Sequence, residues 1–476
     1  MGLIATIACL LFVAYLFWRD HRDNPRVDPG LWVPLAWMFL AGSRWVSSWL
    51  DLRPSFASVD SYSEGSPVDR AVFLALIVAG LYVLARRQIN WGSLLRQNRL
   101  LALYFLYCLA SILWADAPFV SLKRWIKDLG NPVMALVILT TPNPREALTL
   151  TLRRLSFLLL PASVLFVRYY PELGRVYHVD GSPMYTGVGH QKNDLGLMCL
   201  VTGTYFLWQF SLDRERFKTW PRDSRISLYV LSIMLAWLLY MSNSQTSLVC
   251  LLIAAGVLLG YQLPYIRRNP SRLVGSIVLG VGTYLVLDAA FDIKEQIFAL
   301  LGRDPTLTNR TELWSLLFDI GTNSAVLGSG FMSFWAGERM AAVWAVMGVG
   351  VNQAHSGYIE QFLNLGYVGV AFIVMLFAGA LINVRSQLKT NAPMATLRLS
   401  FLLAALLYNY TEASFYGINN MWVLTLVALI RVPALEALSP QGIEKADVQH
   451  AVVRPFGLWR PSPTQSRGSG RAARHF

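Results

Sequence analysis

Gly366-Tyr-Val-Gly-Val-Ala-Phe-Ile-Val-Met-Leu-Phe-Ala-Gly-Ala-Leu-Ile-Asn-Val384 runs to Arg385 without a charged side chain. A helix of this length spans the bilayer's hydrocarbon layer, which takes about 17–25 apolar residues. In lipid every backbone N–H and C=O must be satisfied within the segment, so the run reads as a helix and not as an open strand or loop. Comparable runs recur at 2–18, 31–50, 70–85, 100–115, 126–141, 155–170, 194–211, 227–241, 246–263, 274–291, 398–411 and 420–432. The sequence therefore predicts an all-α, polytopic integral membrane protein with about 12–13 transmembrane helices.

Composition points the same way. Of 476 residues, 55% are hydrophobic and 14% charged, against roughly 25% charged in soluble domains. The net charge of +13 would suggest nucleic acid in a soluble chain. Here the cations gather in alternate short loops, as in Arg86, Arg87, Arg96 and Arg99, or Arg214, Arg216, Lys218, Arg222 and Arg225. That is the positive-inside pattern, with the lipid bilayer and no nucleic acid as the partner. It places the N-terminus outside and the C-terminus in the cytoplasm. Cys9, Cys108, Cys199 and Cys250 all lie in apolar runs, at no disulfide-framework or metal-ligand spacing. The opening run lacks a basic leader and a small-residue cleavage site, and reads as a retained first helix. Residues 1–432 form the membrane domain on this reading. Residues 433–476, with Pro, Ser, Gly and Arg but no apolar period, form a disordered basic cytoplasmic tail.

One connection is out of scale. The extracytoplasmic stretch 292–365 is far longer than an ordinary loop and too rich in Trp, Leu, Phe and Gly to be disordered. It is expected to be helical and functional. Within it, Gly302-Arg-Asp-Pro-Thr-Leu-Thr-Asn-Arg-Thr-Glu-Leu-Trp314 carries a capping-box pattern at Asn309 and Glu312, with Gly321 as a helix stop. Arg310 falls in the first turn, where the helix dipole disfavours a cation. Two readings stand: an anion shared by Arg310, with Arg303 nearby, and the free N–H groups, or a salt bridge to Asp304 or Glu312. His355-Ser-Gly-Tyr-Ile-Glu-Gln-Phe-Leu-Asn-Leu-Gly366 follows, with His355, Ile359 and Phe362 on one helical face. His355 is either a satisfied structural residue or a general base.

Other outer-face segments add polar groups. Gly187-Val-Gly-His-Gln-Lys-Asn-Asp194 offers His190, Lys192 and Asn193 at a helix entry, with Arg168 and Arg175 upstream. It reads as a second anion site or as a polar cap. Ser242-Asn-Ser-Gln-Thr-Ser247 breaks two spans around Gln245. Glu412, Tyr416 and Asn420 form a small polar group. Lys123, Arg124, Lys127 and Asp128 sit near the same surface, against the positive-inside trend, as ligand-binding charges do.

These motifs resemble the O-antigen ligase and O-antigen polymerase superfamily, bacterial inner-membrane proteins that act on undecaprenyl-diphosphate-linked glycans. His355, Ser356, Gly366 and Gly369 fit the ligase pattern, and Arg310 to Gly321 fits the polymerase Arg-to-Gly spacing. The Gly302–Trp314 and Gly189–Gly196 segments, with Leu113-Trp-Ala-Asp-Ala-Pro118 before Lys123 and Arg124, look like the succinoglycan-type exopolysaccharide polymerases. The resemblance covers roughly residues 110–420. It implies that Arg310 contacts the lipid diphosphate and that His355 assists transfer to the acceptor glycan. Ligases often carry Arg in the Ser-rich break where this chain has Gln245, so Lys192 becomes the candidate replacement. Val370 and Ala371 stand where two Thr may follow the ligase Gly pair. Both departures favour polymerase over ligase.

The resulting expectation is an exopolysaccharide polymerase of the inner membrane, with its site on the periplasmic side. It transfers glycan repeat units from undecaprenyl diphosphate to an acceptor glycan without a metal or other cofactor. His355 and Arg310 are the expected catalytic residues. Lys192, His190, Asn193, Arg303, Gln245, Arg175 and Glu412 are the expected substrate-binding residues. A flippase and a chain-length regulator are the expected protein partners. The alternatives are an O-antigen ligase acting on lipid A-core and, from another class, a glycolipid flippase. A flippase predicts ionisable residues near the midplane, in which this chain is poor.

Overall fold

The computed structural model describes residues 1–24, 27–51, 66–177, 181–211, 217–292, 310–348 and 350–433. The predicted tail, Arg303 and Asn309 lie outside these residues. The described chain is all-α apart from one short hairpin, in which β1 (Arg175–Tyr177) pairs antiparallel with β2 (Pro183–Tyr185).

The helices of ten residues or more, in chain order, are α1 (Gly2–Asp23), α2 (Trp32–Ala41), α3 (Pro67–Ala85), α4 (Arg99–Ala110), α5 (Pro118–Asp128), α6 (Gly130–Leu139), α7 (Pro144–Tyr169) and α8 (Lys192–Ser211). They continue with α9 (Arg222–Ser242), α10 (Gln245–Gly260), α11 (Arg272–Phe291), α12 (Arg310–Gly321), α13 (Gly337–Met347), α14 (Gly357–Gln387), α15 (Ala392–Thr411) and α16 (Asn420–Leu429). Each predicted span overlaps at least one of these, although 31–50 and 126–141 are broken within the span. Six of the described helices, α1, α3, α7, α9, α14 and α15, are long and apolar enough to cross a membrane by length and composition. The shorter apolar helices include Gln245–Gly260 and Asn420–Leu429. The protein is a multi-pass, all-α membrane protein.

Packing follows from burial. Helix α15 is buried along most of its length and packs against α8, α10, α14 and α16. Helix α7 is buried likewise and contacts α1, α2 and α9. By contrast α1 exposes Leu3, Ile4, Leu10 and Leu11, the apolar face a lipid-facing helix presents.

Three sequence expectations are corrected. Residues 31–50 are not one span: α2 ends at Ala41 and the chain turns through Gly42–Trp45. The turn lets the Arg44 N–H reach the Val188 carbonyl at 3.1 Å and its guanidinium reach the Gly189 and Leu173 carbonyls. Helix α7 starts before the predicted 155, so Arg153 and Arg154 are helical and buried, not in a loop. Both pair with the buried Asp20 of α1, Arg154 at 2.7 Å, because a cation in that position needs a carboxylate. His355 stands before α14 and not on its face. The helix starts at Gly357 with Ser356 as its N-cap residue, while Ile359 and Phe362 are buried in it.

The stretch 292–365 contains helices α12 and α13 and the start of α14 among its described residues, joined by turns. Leu313 and Leu317 of α12, Met340 and Val343 of α13, and Ile359, Phe362 and Leu363 of α14 form a hydrophobic cluster of their own with Phe334 and Trp335. Helix α14 kinks at Gly366, whose φ of 64° and ψ of −165° are open to glycine alone. The kink frees two N–H groups, and both are used: Tyr367 donates to Ala325 O at 2.8 Å and Val368 to Val326 O at 3.3 Å. A Cβ on Gly366 would stand 2.2 Å from Val326 O. Gly366→Ala is expected to destabilise the protein by about 2–3 kcal/mol, read as a lowered thermal midpoint in detergent. An unchanged midpoint would remove the kink from the list of constraints that seat the outer helices.

Candidate active site

Glu412 follows the last residue of α15 and is 5% exposed. A carboxylate so buried needs partners. The Asn193 side-chain amide donates to its Oε1 at 2.6 Å, and the Arg310 Nη2 donates to the same oxygen at 3.1 Å. The other oxygen, Oε2, stands 3.6 Å from His355 Nδ1. Arg310 also donates from Nη1 to the carbonyl of Thr411. Arg310, His355, Asn193 and Glu412 therefore meet, from four separate stretches of chain.

The backbone explains why they meet there. Helices α8, α10, α12 and α14 all begin at this point. Asn193 sits in the first turn of α8. Thr246, second in α10, shares a 2.7 Å hydrogen bond with Thr411. Arg310 is the first residue of α12. The N–H of Gly357, first in α14, donates to the Glu412 carbonyl at 3.0 Å. The first described residues of these helices meet at the negative C-terminal end of α15, those of α8 and α12 through the Glu412 carboxylate. Gly196 lets α8 and α10 approach, since a Cβ there would meet Ser244 at 2.5 Å.

His355 is held in a strained turn, with φ of 52°. Left-handed backbone in a non-glycine residue costs about 1–3 kcal/mol and persists only where surroundings enforce it. Glu360 does the enforcing. Its buried carboxylate accepts the N–H of Ala354, the residue before His355, at 2.6 Å, and the Trp335 indole N–H at 2.8 Å. The Tyr416 hydroxyl and the Asn364 amide complete its shell.

The other sequence-selected residues divide. Lys192 opens α8 next to Asn193 and has no hydrogen-bond or ion-pair partner among the described residues. Gln245 opens α10 beside Thr246. The backbone N–H of His190 donates to Asp194 at 3.0 Å, and its exposed ring faces an adjoining cavity. Arg175 is placed elsewhere: its guanidinium donates to Val167 O at 2.9 Å and stacks on Tyr185, bracing the hairpin. Of the two local partners considered for Arg310, Asp304 lies outside the described residues and Glu312 forms no ion pair with it among them; Glu412, just after α15, supplies a carboxylate. Of the polar group Glu412, Tyr416 and Asn420, only Glu412 joins Arg310.

The cavity, of about 770 Å³, opens beside this cluster, between Gln353, Ala413 and the Gly42–Ser48 turn. Sequence reasoning missed Glu360, Trp335 and Gln353. The available signal for Glu360 was a carboxylate entering a long apolar helix, which has to be paired.

A match to known proteins bears on this geometry. Residues 230–374 match the O-antigen ligase family. The matched segment carries Arg310, His355, Gln245 and Glu360, and the fold brings Asn193 and Glu412 to it from outside. The exopolysaccharide production protein ExoQ of Rhizobium meliloti (strain 1021) is 24% identical over 385 residues, which cover 76% of this chain and 84% of that protein. The chain is thus similar to the O-antigen ligase family over residues 230–374 and to ExoQ over most of its length.

Proposed function

We propose that the protein is a bacterial exopolysaccharide polymerase of the inner membrane. It transfers glycan repeat units from undecaprenyl diphosphate to an acceptor glycan at the outer face. The observation that carries this reading is the Glu412 cluster, in which one carboxylate accepts from a guanidinium and an amide and stands 3.6 Å from a histidine, beside the first residues of four helices.

Each part has a job in glycosyl transfer. His355 Nδ1 faces Glu412, which favours the tautomer protonated there and leaves Nε2 as the base. Nε2 takes the proton of the acceptor hydroxyl as its oxygen bonds to the donor's anomeric carbon. The bond from that carbon to the diphosphate oxygen breaks, and undecaprenyl diphosphate leaves with the electron pair. Arg310, Lys192 and the helix N-termini stabilise the charge that grows on it. Asn193 and Gln245 stand at the same helix ends to contact the phosphates. Such a site has its counter-charges built in, so activity is expected to persist in EDTA.

The positive-inside pattern supports a periplasmic position for this end of the bundle and a cytoplasmic one for the tail 433–476; a flippase and a chain-length regulator are the proposed neighbours. The second reading, a ligase that passes finished polymer to another acceptor, is favoured by the name of the matched family. A deletion strain separates the two. Single repeats on the lipid carrier mean polymerase, and full-length polymer on the carrier means ligase. Repeats trapped on the cytoplasmic side mean a flippase and overturn both.

A further inference from the structure

The cavity beside Glu412 carries charge that the transfer chemistry above does not use. Helix α5 directs Lys123 and Lys127, one turn apart, toward it. Like charges at this spacing repel. Neither ammonium has a carboxylate within ion-pair distance among the described residues. Lys127 lies 4.6 Å over the Trp45 ring and Lys123 4.7 Å over Phe119. Two carboxylates line the cavity, Asp69, which acts on Lys127 through space, and Asp194, against the cations Arg70, Lys123, Arg124 and Lys127. Asp69 accepts the N–H of Ser47 at 2.9 Å and its hydroxyl, and Asp194 accepts the N–H groups of His190 and Gln191.

The rest of the lining suits a sugar. Trp45, Trp335 and Tyr416 line it with aromatic rings, one face of Trp45 lying under Lys127, and Gln353 lines it two residues before His355. Asn420 is 2% exposed, lines the cavity, and has a side-chain carbonyl oxygen with no hydrogen-bond partner. Aromatic faces with a few fixed polar groups are how a pocket orients a polar ligand. A neutral sugar would leave the excess of positive charge in this lining unanswered, whereas a carboxylate between Lys123 and Lys127 answers it.

We propose that this cavity holds the acceptor end of the glycan, and that the sugar seated there carries a carboxylate bound by Lys123 and Lys127. The proposal rests on the glycan-transfer reading and adds its acceptor subsite and the acidic class of its substrate.

The test uses the purified full chain in lipid nanodiscs. The probes are oligosaccharides released by mild acid from the strain's own surface glycan, the same oligosaccharides after chemical reduction of their carboxyl groups, and inorganic pyrophosphate. The untreated oligosaccharides are expected to bind at least about tenfold tighter than the reduced ones. Lys127→Gln should erase that preference and Lys127→Arg should keep it, which separates lost charge from lost folding. Pyrophosphate binding should survive Lys127→Gln and be weakened by Arg310→Ala. Equal binding of the two oligosaccharides to the unaltered protein, or a surface glycan without carboxyl groups, overturns the proposal. Loss of pyrophosphate binding in Lys127→Gln also overturns it, by giving the cavity to the diphosphate. If Arg310→Ala keeps pyrophosphate while the carboxylate preference stands, the donor assignment fails and the acceptor assignment does not.

Discussion

Glu412→Ala is expected to abolish polymer and to destabilise the protein. The substitution leaves the Arg310 guanidinium, with a side chain only 18% exposed, without its carboxylate. Breaking a largely buried ion pair by removing one partner costs about 3–5 kcal/mol. It also removes the acceptor of the Asn193 amide and the carboxylate beside His355 Nδ1. Arg310→Ala alone should lower transfer by about 10²–10³-fold, the scale for one donor to a developing anion. The double variant Arg310→Ala/Glu412→Ala should recover part of the stability lost in Glu412→Ala, because no uncompensated charge remains, and recover none of the transfer. Thermal unfolding in detergent gives the first quantity and incorporation of lipid-linked repeats gives the second. Additive stability losses in the double variant would show that the two residues do not act as a pair, and near-normal polymer in Glu412→Ala would remove the hub from the site.

How much of this was legible in the sequence depends on the range of the interaction. The spans were legible because hydropathy is local, and each predicted run overlaps at least one helix. The breaks were less so. Gly42–Trp45 interrupts an apolar run because Arg44 finds carbonyls at Gly189 and Leu173, residues that no local window contains. Arg310 and His355, named from two separate motifs, stand at one carboxylate in the structure, and that carboxylate is Glu412, at the end of another helix. Local physics offered Arg310 only Asp304 or Glu312, since an ion pair formed by folding leaves no spacing signature. The break at Gly366 could be read, because glycine signals its own backbone freedom, whereas Gly321 ends α12 in ordinary helical backbone, with φ of −75°. Glu360 could not be tied to His355 by period, as it acts through the N–H of Ala354 and not through a shared face.

His355→Asn separates chemistry from architecture at the same site. Residue 355 has φ of 52°, a conformation that asparagine tolerates better than other non-glycine residues. The turn before α14 should therefore survive, held as before by Glu360 on the Ala354 N–H. What is lost is the base: an amide cannot take a proton near neutral pH, whereas imidazole can. General-base assistance is worth about 10²–10⁴-fold, so repeat incorporation should fall by that factor while the thermal midpoint and donor binding stay close to those of the unaltered protein. His355→Gly carries the contrast further. Glycine relieves the left-handed strain, so this variant should be at least as stable as the parent and equally inactive. A stable, inactive pair of variants means that the strain at 355 is maintained for the imidazole's position. If His355→Asn retains full transfer, the proton goes to another group. If both variants unfold, His355 is a packing residue and the site's base lies elsewhere in the Glu412 cluster.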